Sequence, residues 1–427
     1  MEEEPEALYT CCAGIDVHKD VLAVCVASGP LDRRPRFIEE SFGTTASELA
    51  RLSGWLREQQ VQIVGMESTG VYWRPLYREL RASLEIEVRV ANPVQVKPRK
   101  QGDKRDKADA KSMARLLRRG DFPNSYIVEG QQRELRDWSR IRIQAIQNLS
   151  QARNRVHKLL EENGVKLSSV LSNCFGVSGS KLLDLLLESA ESGRPITAEQ
   201  VEELTLGKAR TKTEQLVEAL QVQLTPHQVE VIRFQRDSVA WFEQQVERAD
   251  SAIAKIMAAN ADFEAARDLL VTLPGIGATA ASVLVAEIGP KPQEHFPNAE
   301  ALAAWAGLAP GNNESAGRRG RSHKRPGNKF VQSILVQAAV SISRIKQPNR
   351  LTNIYRRHLR RFGTKNVNSA RFATAHHLLR IAYRLLSGNQ AYIEYGDSFE
   401  RLHEARRIDH ARKVLESNGY TVSETAA

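Results

Sequence analysis

The sequence predicts an α/β domain at the N-terminus followed by all-α regions. Three observations carry that reading. Short apolar runs alternate with helically spaced segments over the first 95 residues, two later stretches repeat apolar residues in heptads, and an Ala/Val-rich helix follows a Gly-containing turn beyond Asp262. At 427 residues the chain exceeds what one hydrophobic core supports, so several domains are expected. Their boundaries fall at 1–125, 126–262 and 263–395, with a tail at 396–427.

Each element of the first domain has its own signal. Cys12–Val17 and Val21–Ala27 are apolar runs separated by His18, Lys19 and Asp20, the pattern of an antiparallel hairpin, and Arg36–Ser41 can add a third strand. Thr45–Gln60 carries Leu49, Leu52 and Leu56 at helical spacing, with Thr and Ser at its start to cap it. Val61–Met66 reads as a buried strand, Pro75–Ala82 as a helix and Ile86–Val90 as a fifth strand. Another helix runs on through Ala110, Ala114 and Leu117. Three strands, helix, strand, helix, strand, helix is the element order of an RNase H-like domain.

From Gln132 to Glu162 the pattern turns helical. Ala145, Leu149, Ala152, Val156 and Leu159 form one heptad seam, and Val239, Phe242, Val246, Ala249, Ile253 and Ile256 form another, reached from Ile232. Two such seams predict an antiparallel helical hairpin or coiled coil. Ser168–Ser180 and helices around Leu182–Leu187 and Glu214–Val222 lie between them. Further on, Leu273-Pro274-Gly275-Ile276-Gly277 resembles a helix-hairpin-helix turn. Gly275 and Gly277 there could bring backbone N–H groups to a phosphate, or could simply end one core helix and begin the next.

Composition narrows the partners. The 41% hydrophobic content argues against disorder. The longest clean apolar run, Val21–Ala27, is far short of the ~20 residues a membrane span needs, and the acidic N-terminus is unlike a secretory signal. Cys11, Cys12, Cys25 and Cys174 show no metal-ligand or disulfide spacing. A soluble, cytoplasmic protein without a membrane partner is therefore expected. The net charge of +10 is unevenly spread: Lys97–Arg119 carries +7, Arg318–Lys329 +6 and Arg344–Arg361 +7. The rest of the chain thus nets −10, and concentrated cations on an acidic background point to a phosphate backbone.

Four carboxylates stand out. Asp16 ends the first strand and Glu67 follows the fourth, each interrupting an apolar run. In an RNase H-like sheet those strands are parallel neighbours, which would bring both acids together. Asp106 and Asp109 are three apart and share a helix face. Hard oxygen donors with no His or Cys among them suit Mg²⁺, or Mn²⁺. Two such ions can activate a nucleophile and stabilise a leaving oxygen in phosphodiester cleavage. Asp103 lies three residues before Asp106, so the pair Asp103/Asp106 is conceivable. Ala110 and the helix continuing to Leu117 favour Asp106/Asp109.

These residues resemble a known family. Asp16 in Gly-Ile-Asp-Val-His-Lys, Glu67 in Met-Glu-Ser-Thr-Gly-Val-Tyr-Trp and Asp106/Asp109 in Asp-Lys-Ala-Asp-Ala are similar to the DEDD tetrad of the insertion sequence 110 family of transposases. The stretch from Trp305 to Gly317 is similar to that family's C-terminal signature, and the resemblance covers residues 12–120 and 268–345. One departure is Lys104-Arg105 where the family commonly has Lys-Thr before the third acid. The resemblance implies an RNase H-like (RuvC-like) domain, a coiled-coil middle and a helical C-terminal domain. It also implies metal-dependent strand cleavage and exchange of donor and target DNA, guided by a structured non-coding RNA.

Ser315 lies in the Gly/Asn-rich loop Pro310–Gly317, just before Arg318, Arg319 and Arg321. A serine there is ordinarily a turn residue, and no His/Asp partner marks a hydrolase triad. By the resemblance it attacks DNA phosphate, forming a covalent phosphoserine link in a composite site with another subunit's carboxylates. Lys104, Arg105, Lys107, Arg318, Arg319, Arg321 and Lys324 are candidates for backbone contacts. The heptads and the composite site imply a homodimer assembling to a homotetramer. Two other readings use the same residues: a junction-resolving endonuclease working through water, and a non-catalytic nucleic-acid-binding protein.

Overall fold

The computed structural model describes residues 7–68, 70–96, 106–310, 314–315, 318–319, 326–394 and 398–421, and the chain falls into two compact units, Met1–Val128 and Glu129–Ala427. The first is α/β. Strands β1 (Cys11–Val17), β2 (Val21–Ser28) and β3 (Arg36–Gly43) are followed by α1 (Ala46–Glu58), β4 (Ile63–Glu67), α2 (Trp73–Ser83), β5 (Glu87–Ala91), the short α3 (Pro93–Val96) and α4 (Asp106–Arg118). The sheet order is β3-β2-β1-β4-β5, with β1 antiparallel to β2 and parallel to β4. The hairpin and all five strands lie where the apolar runs placed them. Thr45 does stand at the N-cap of α1, although its side chain makes no capping hydrogen bond.

Side chains alternate across a strand, so the sheet has two distinct faces. Ala13, Ile15, Val24, Val26, Val64 and Met66 pack beneath α1 and α2 in one large apolar cluster. The opposite face is built from smaller residues, Cys12, Ala23, Cys25 and Ala27 with Ile63, and carries α4 through Ala110, Met113, Ala114 and Leu117. Burial pushes the thiols of Cys12 and Cys25 up to about 12, and all four cysteines are buried free thiols.

The second unit is helical. Its spine is the pair α5 (Gly130–Glu162) and α10 (Pro226–Ala258), between which lie α6 (Leu167–Val170), α7 (Val177–Ser192), α8 (Ala198–Leu204) and α9 (Thr213–Leu220). The two long helices are antiparallel: Arg142 pairs with Asp250, Arg153 with Glu243 at 2.7 Å, and Arg155 donates to Gln235 at 2.9 Å. The seams follow the heptads until their last turns, where Leu160 is buried rather than Leu159 and Met257 rather than Ile256. An α-helix drifts ~20° per heptad against a strict 3.5-residue repeat, which passes burial to the next residue. Thr225 caps α10 with Gln228 in a reciprocal box and Pro226 in the first position.

Beyond the hairpin come α11 (Ala261–Val271), α12 (Ala278–Ile288), α13 (Ala299–Trp305), the two-residue strands β6 (Glu314–Ser315) and β7 (Arg318–Arg319), and α14 (Lys329–Ser343). Helices α15 (Arg350–Phe362) and α16 (Val367–Gly388) complete this core, with α11, α13, α14 and α15 packed on α16. The C-terminal tail holds one more helix, α17 (Ser398–Ser417). Among the described residues no helix is long and apolar enough to cross a membrane.

Candidate active site

The site begins with the register of β1 and β4. Ile15 pairs with Met66, so the next residues along the two parallel strands are Asp16 and Glu67. Parallel neighbours stand about 4.8 Å apart, which sets the two acids side by side at the strands' C-terminal ends. Glu67 is the last residue of β4 itself. Both are buried, at 8% and 5% exposure, where an isolated carboxylate would be costly to desolvate. His18, in the turn after β1, sets Nε2 3.3 Å from Asp16 Oδ2.

Alternation puts Cys12, Gly14 and Asp16, and likewise Ile63, Gly65 and Glu67, on the face that carries α4. The two glycines permit that contact. A Cβ on Gly14 would stand 2.2 Å from the carbonyl oxygen of Ala110 and 2.5 Å from the nitrogen of Ala114, and one on Gly65 would meet Leu117 at 2.8 Å. Cys12 Sγ donates to the carbonyl of Ala114 at 3.3 Å. Advancing from Cys12 to Gly14 thus moves back along α4, so the helix runs antiparallel to β1. One more strand step, to Asp16, reaches the first turn of α4, which begins at Asp106. Asp106 and Asp109 stand at helical spacing from Ala110, Met113, Ala114 and Leu117, and those four are fully buried on the sheet. Asp109 is half-buried.

The side chains of Asp106 and Lys107, and the whole of Asp103, Lys104 and Arg105, lie outside the described residues. Among the described residues no three His, Cys, Asp or Glu side chains form a group that could hold a metal ion. Asp16 and Glu67 are two adjacent buried carboxylates, and α4 lies on their face of the sheet.

In the second unit, β6 and β7 form a small antiparallel ladder in which Ser315 pairs with Arg318 and Glu314 with Arg319. The side chains of Ser315, Arg318 and Arg319, and the whole of Arg321 and Lys324, lie outside the described residues. The two glycines of the turn between α11 and α12 differ. Gly275, at φ +88°, abuts α14, where a Cβ would stand 2.9 Å from the carbonyl oxygen of Ala338, so packing accounts for its lack of a side chain. Gly277 caps α12 with nothing within 4 Å of its Cβ position.

Sequence reasoning missed several residues around these sites. Arg118, at the far end of α4, is buried with its guanidinium donating to the carbonyls of Tyr9, Thr10, Gly29, Pro30 and Arg33. Glu287, fully buried in α12, meets Arg136, Arg140 and Asn328. Its signal was legible as an acid inside the apolar run Val283–Ile288.

Comparison with known families identifies the kind of protein that carries these residues. Residues 13–164 match the DEDD family model of IS110, described as a transposase, and residues 267–356 match the model described as the transposase IS116/IS110/IS902 family. The chain belongs to the IS110 family of transposases. No curated protein matches it.

Proposed function

We propose that this transposase cleaves and exchanges DNA strands of an insertion sequence by divalent-metal-dependent chemistry through a serine–phosphate intermediate. The observation that carries the reading is the adjacent burial of Asp16 and Glu67 on the face covered by α4. The strand order β3-β2-β1-β4-β5 supports an RNase H-like first domain. Asp16, Glu67, Asp106 and Asp109 would hold Mg²⁺ or Mn²⁺. When bound, such an ion supplies Lewis-acid stabilisation of charge on the scissile phosphate.

The chain's own residues do the rest. Ser315 Oγ attacks phosphorus, losing its proton, and the displaced deoxyribose oxygen leaves as a hydroxyl once protonated. Arg318, Arg319, Arg321 and Lys324 follow the serine closely enough in sequence to stabilise the charged phosphate. Lys104, Arg105, Lys107 and the N-terminus of α12 at Gly277 would hold the strand. The serine of one subunit acts with the carboxylates of another in a homodimer that assembles to a tetramer, and a guide RNA from the same element selects donor and target.

The test is twofold. Ser315→Ala should abolish covalent protein–DNA adducts while leaving DNA binding within about twofold; persistent adducts would sink the nucleophile. Asp16→Asn should stop cleavage, and undiminished cleavage in a chelator would sink the metal site. Copurification of an RNA from the non-coding DNA flanking the gene checks the guide.

A further inference from the structure

The ends of the segment that carries Ser315 are held by a buried polar network. Gly327 presses on the chain where that segment departs: a Cβ there would stand 2.3 Å from the nitrogen of Gly307 and 2.4 Å from the carbonyl carbon of Ala306. Gln332 Nε2 donates to the carbonyl of Ala306 at 2.8 Å. The departing and returning strands are thus joined at their base.

Asn328 then ties that base to the helical spine. Its Oδ1 accepts from the backbone N–H groups of Phe330 and Val331, at 3.0 and 3.1 Å, capping α14. Its Nδ2 donates to Glu287 Oε2 at 2.6 Å. Glu287 is fully buried and receives a bidentate pair from Arg140, at 2.7 and 2.9 Å. Arg136 lies 3.3 Å from the same carboxylate and donates to the carbonyls of Ala286 and Glu287. Both arginines belong to α5.

A buried ion pair is weak evidence for stability, since apolar residues of similar volume often do as well. A helix cap alone would be served by Ser or Asp. Of the three, Asn alone presents acceptor and donor on separate atoms, Oδ1 to the helix and Nδ2 to Glu287; the single Ser oxygen, one bond from Cβ, would have to serve both, and Asp would oppose Glu287. The residue types therefore answer to connection.

We propose that Asn328 and Glu287, anchored by Arg140 and Arg136, are positioning residues that set the nucleophile-bearing hairpin on α5. This rests on the reading of Ser315 as nucleophile. The test uses the full-length protein with a duplex carrying the element's end and RNA transcribed from the flanking non-coding DNA. Asn328→Ser keeps the cap and removes the separate amide donor that reaches Glu287; Asn328→Asp keeps the cap and sets two carboxylates together. Each should keep DNA binding within about twofold and a cooperative unfolding transition, yet slow adduct formation at saturating DNA by at least about tenfold. Amide exchange in residues 306–310 and 326–332 should rise. Adding Glu287→Gln to Asn328→Asp restores a donor–acceptor pair and should recover most of the rate. Adduct rates within twofold of wild type in both single variants, or unchanged exchange, would overturn the proposal. Adducts surviving in Ser315→Ala would instead refute the nucleophile, leaving the exchange measurement to judge the network.

Discussion

Arg118 holds five backbone carbonyls at the C-terminal end of α4, while the acids Asp106 and Asp109 occupy the first turn of the same helix. Removing that guanidinium leaves buried acceptors without donors, each costing of order 1–3 kcal/mol unless water enters. Arg118→Met should therefore lower stability by about 2–4 kcal/mol in urea unfolding. Arg118→Lys should recover only part, because one ammonium cannot reproduce the planar fork of donors. Asp16 and Glu67 stood out in the sequence as a pair: each alone, at a strand end, reads as an ordinary turn or cap residue, and it is their meeting on neighbouring parallel strands that singles them out. Arg118 did not stand out, since it sits in a basic stretch where every cation looks solvated. Burial of a charge among carbonyls is a tertiary fact with no local pattern.

At the scale of elements, the seat of α4 on the sheet depends on Gly14 and Gly65. Gly14→Val would drive a side chain into the backbone of Ala110 and Ala114, which cannot rotate away. We expect a loss of about 3 kcal/mol or more, at the upper end of overpacking effects, together with loss of cleavage. Gly54→Ala, in open space on α1, should instead stabilise by about 0.5–1 kcal/mol. Thermal unfolding of both variants distinguishes a packing glycine from a tolerated one. A second element-level expectation concerns α15 and α16, where the rings of His358 and His377 lie 5.2 Å apart and those of His376 and His377 5.8 Å apart. Burial, then the neighbouring histidines and Arg380 and Arg357, lower His377 to about 4, and His358 and His376 are lowered too; Glu300 opposes this at His376. Here the unfolded chain takes up protons that the folded one refuses. Stability should be full above the ordinary histidine value near 6.5 and fall as pH drops from there toward 4. His377→Phe should flatten that dependence in thermal melts. The five strands of the first sheet and the two 33-residue helices were legible from periodicity, whereas the final register of the hairpin was not, because heptads ignore the drift of a 3.6-residue turn.

For the whole molecule, the uneven charge is the property to test. DNA affinity should fall steeply with salt, and replacing Arg318 and Arg319 by Ala should reduce the slope of log K against log salt by about 2, near 0.9 per lost phosphate contact. An unchanged slope would remove those residues from the DNA interface. The two matched family segments leave residues 165–266 between them, and that span includes α6–α9, which pack on the end of the hairpin remote from α12. Helices α5 and α10 have 33 residues each. At 1.5 Å per residue such a rod is about 50 Å long, close to the axial length of about 15 base pairs of duplex at 3.4 Å each. The hairpin thus fixes a separation: α6–α9 are held near one end and α12 with its neighbours near the other, and a heptad deleted from both helices would bring the two groups about 10 Å closer.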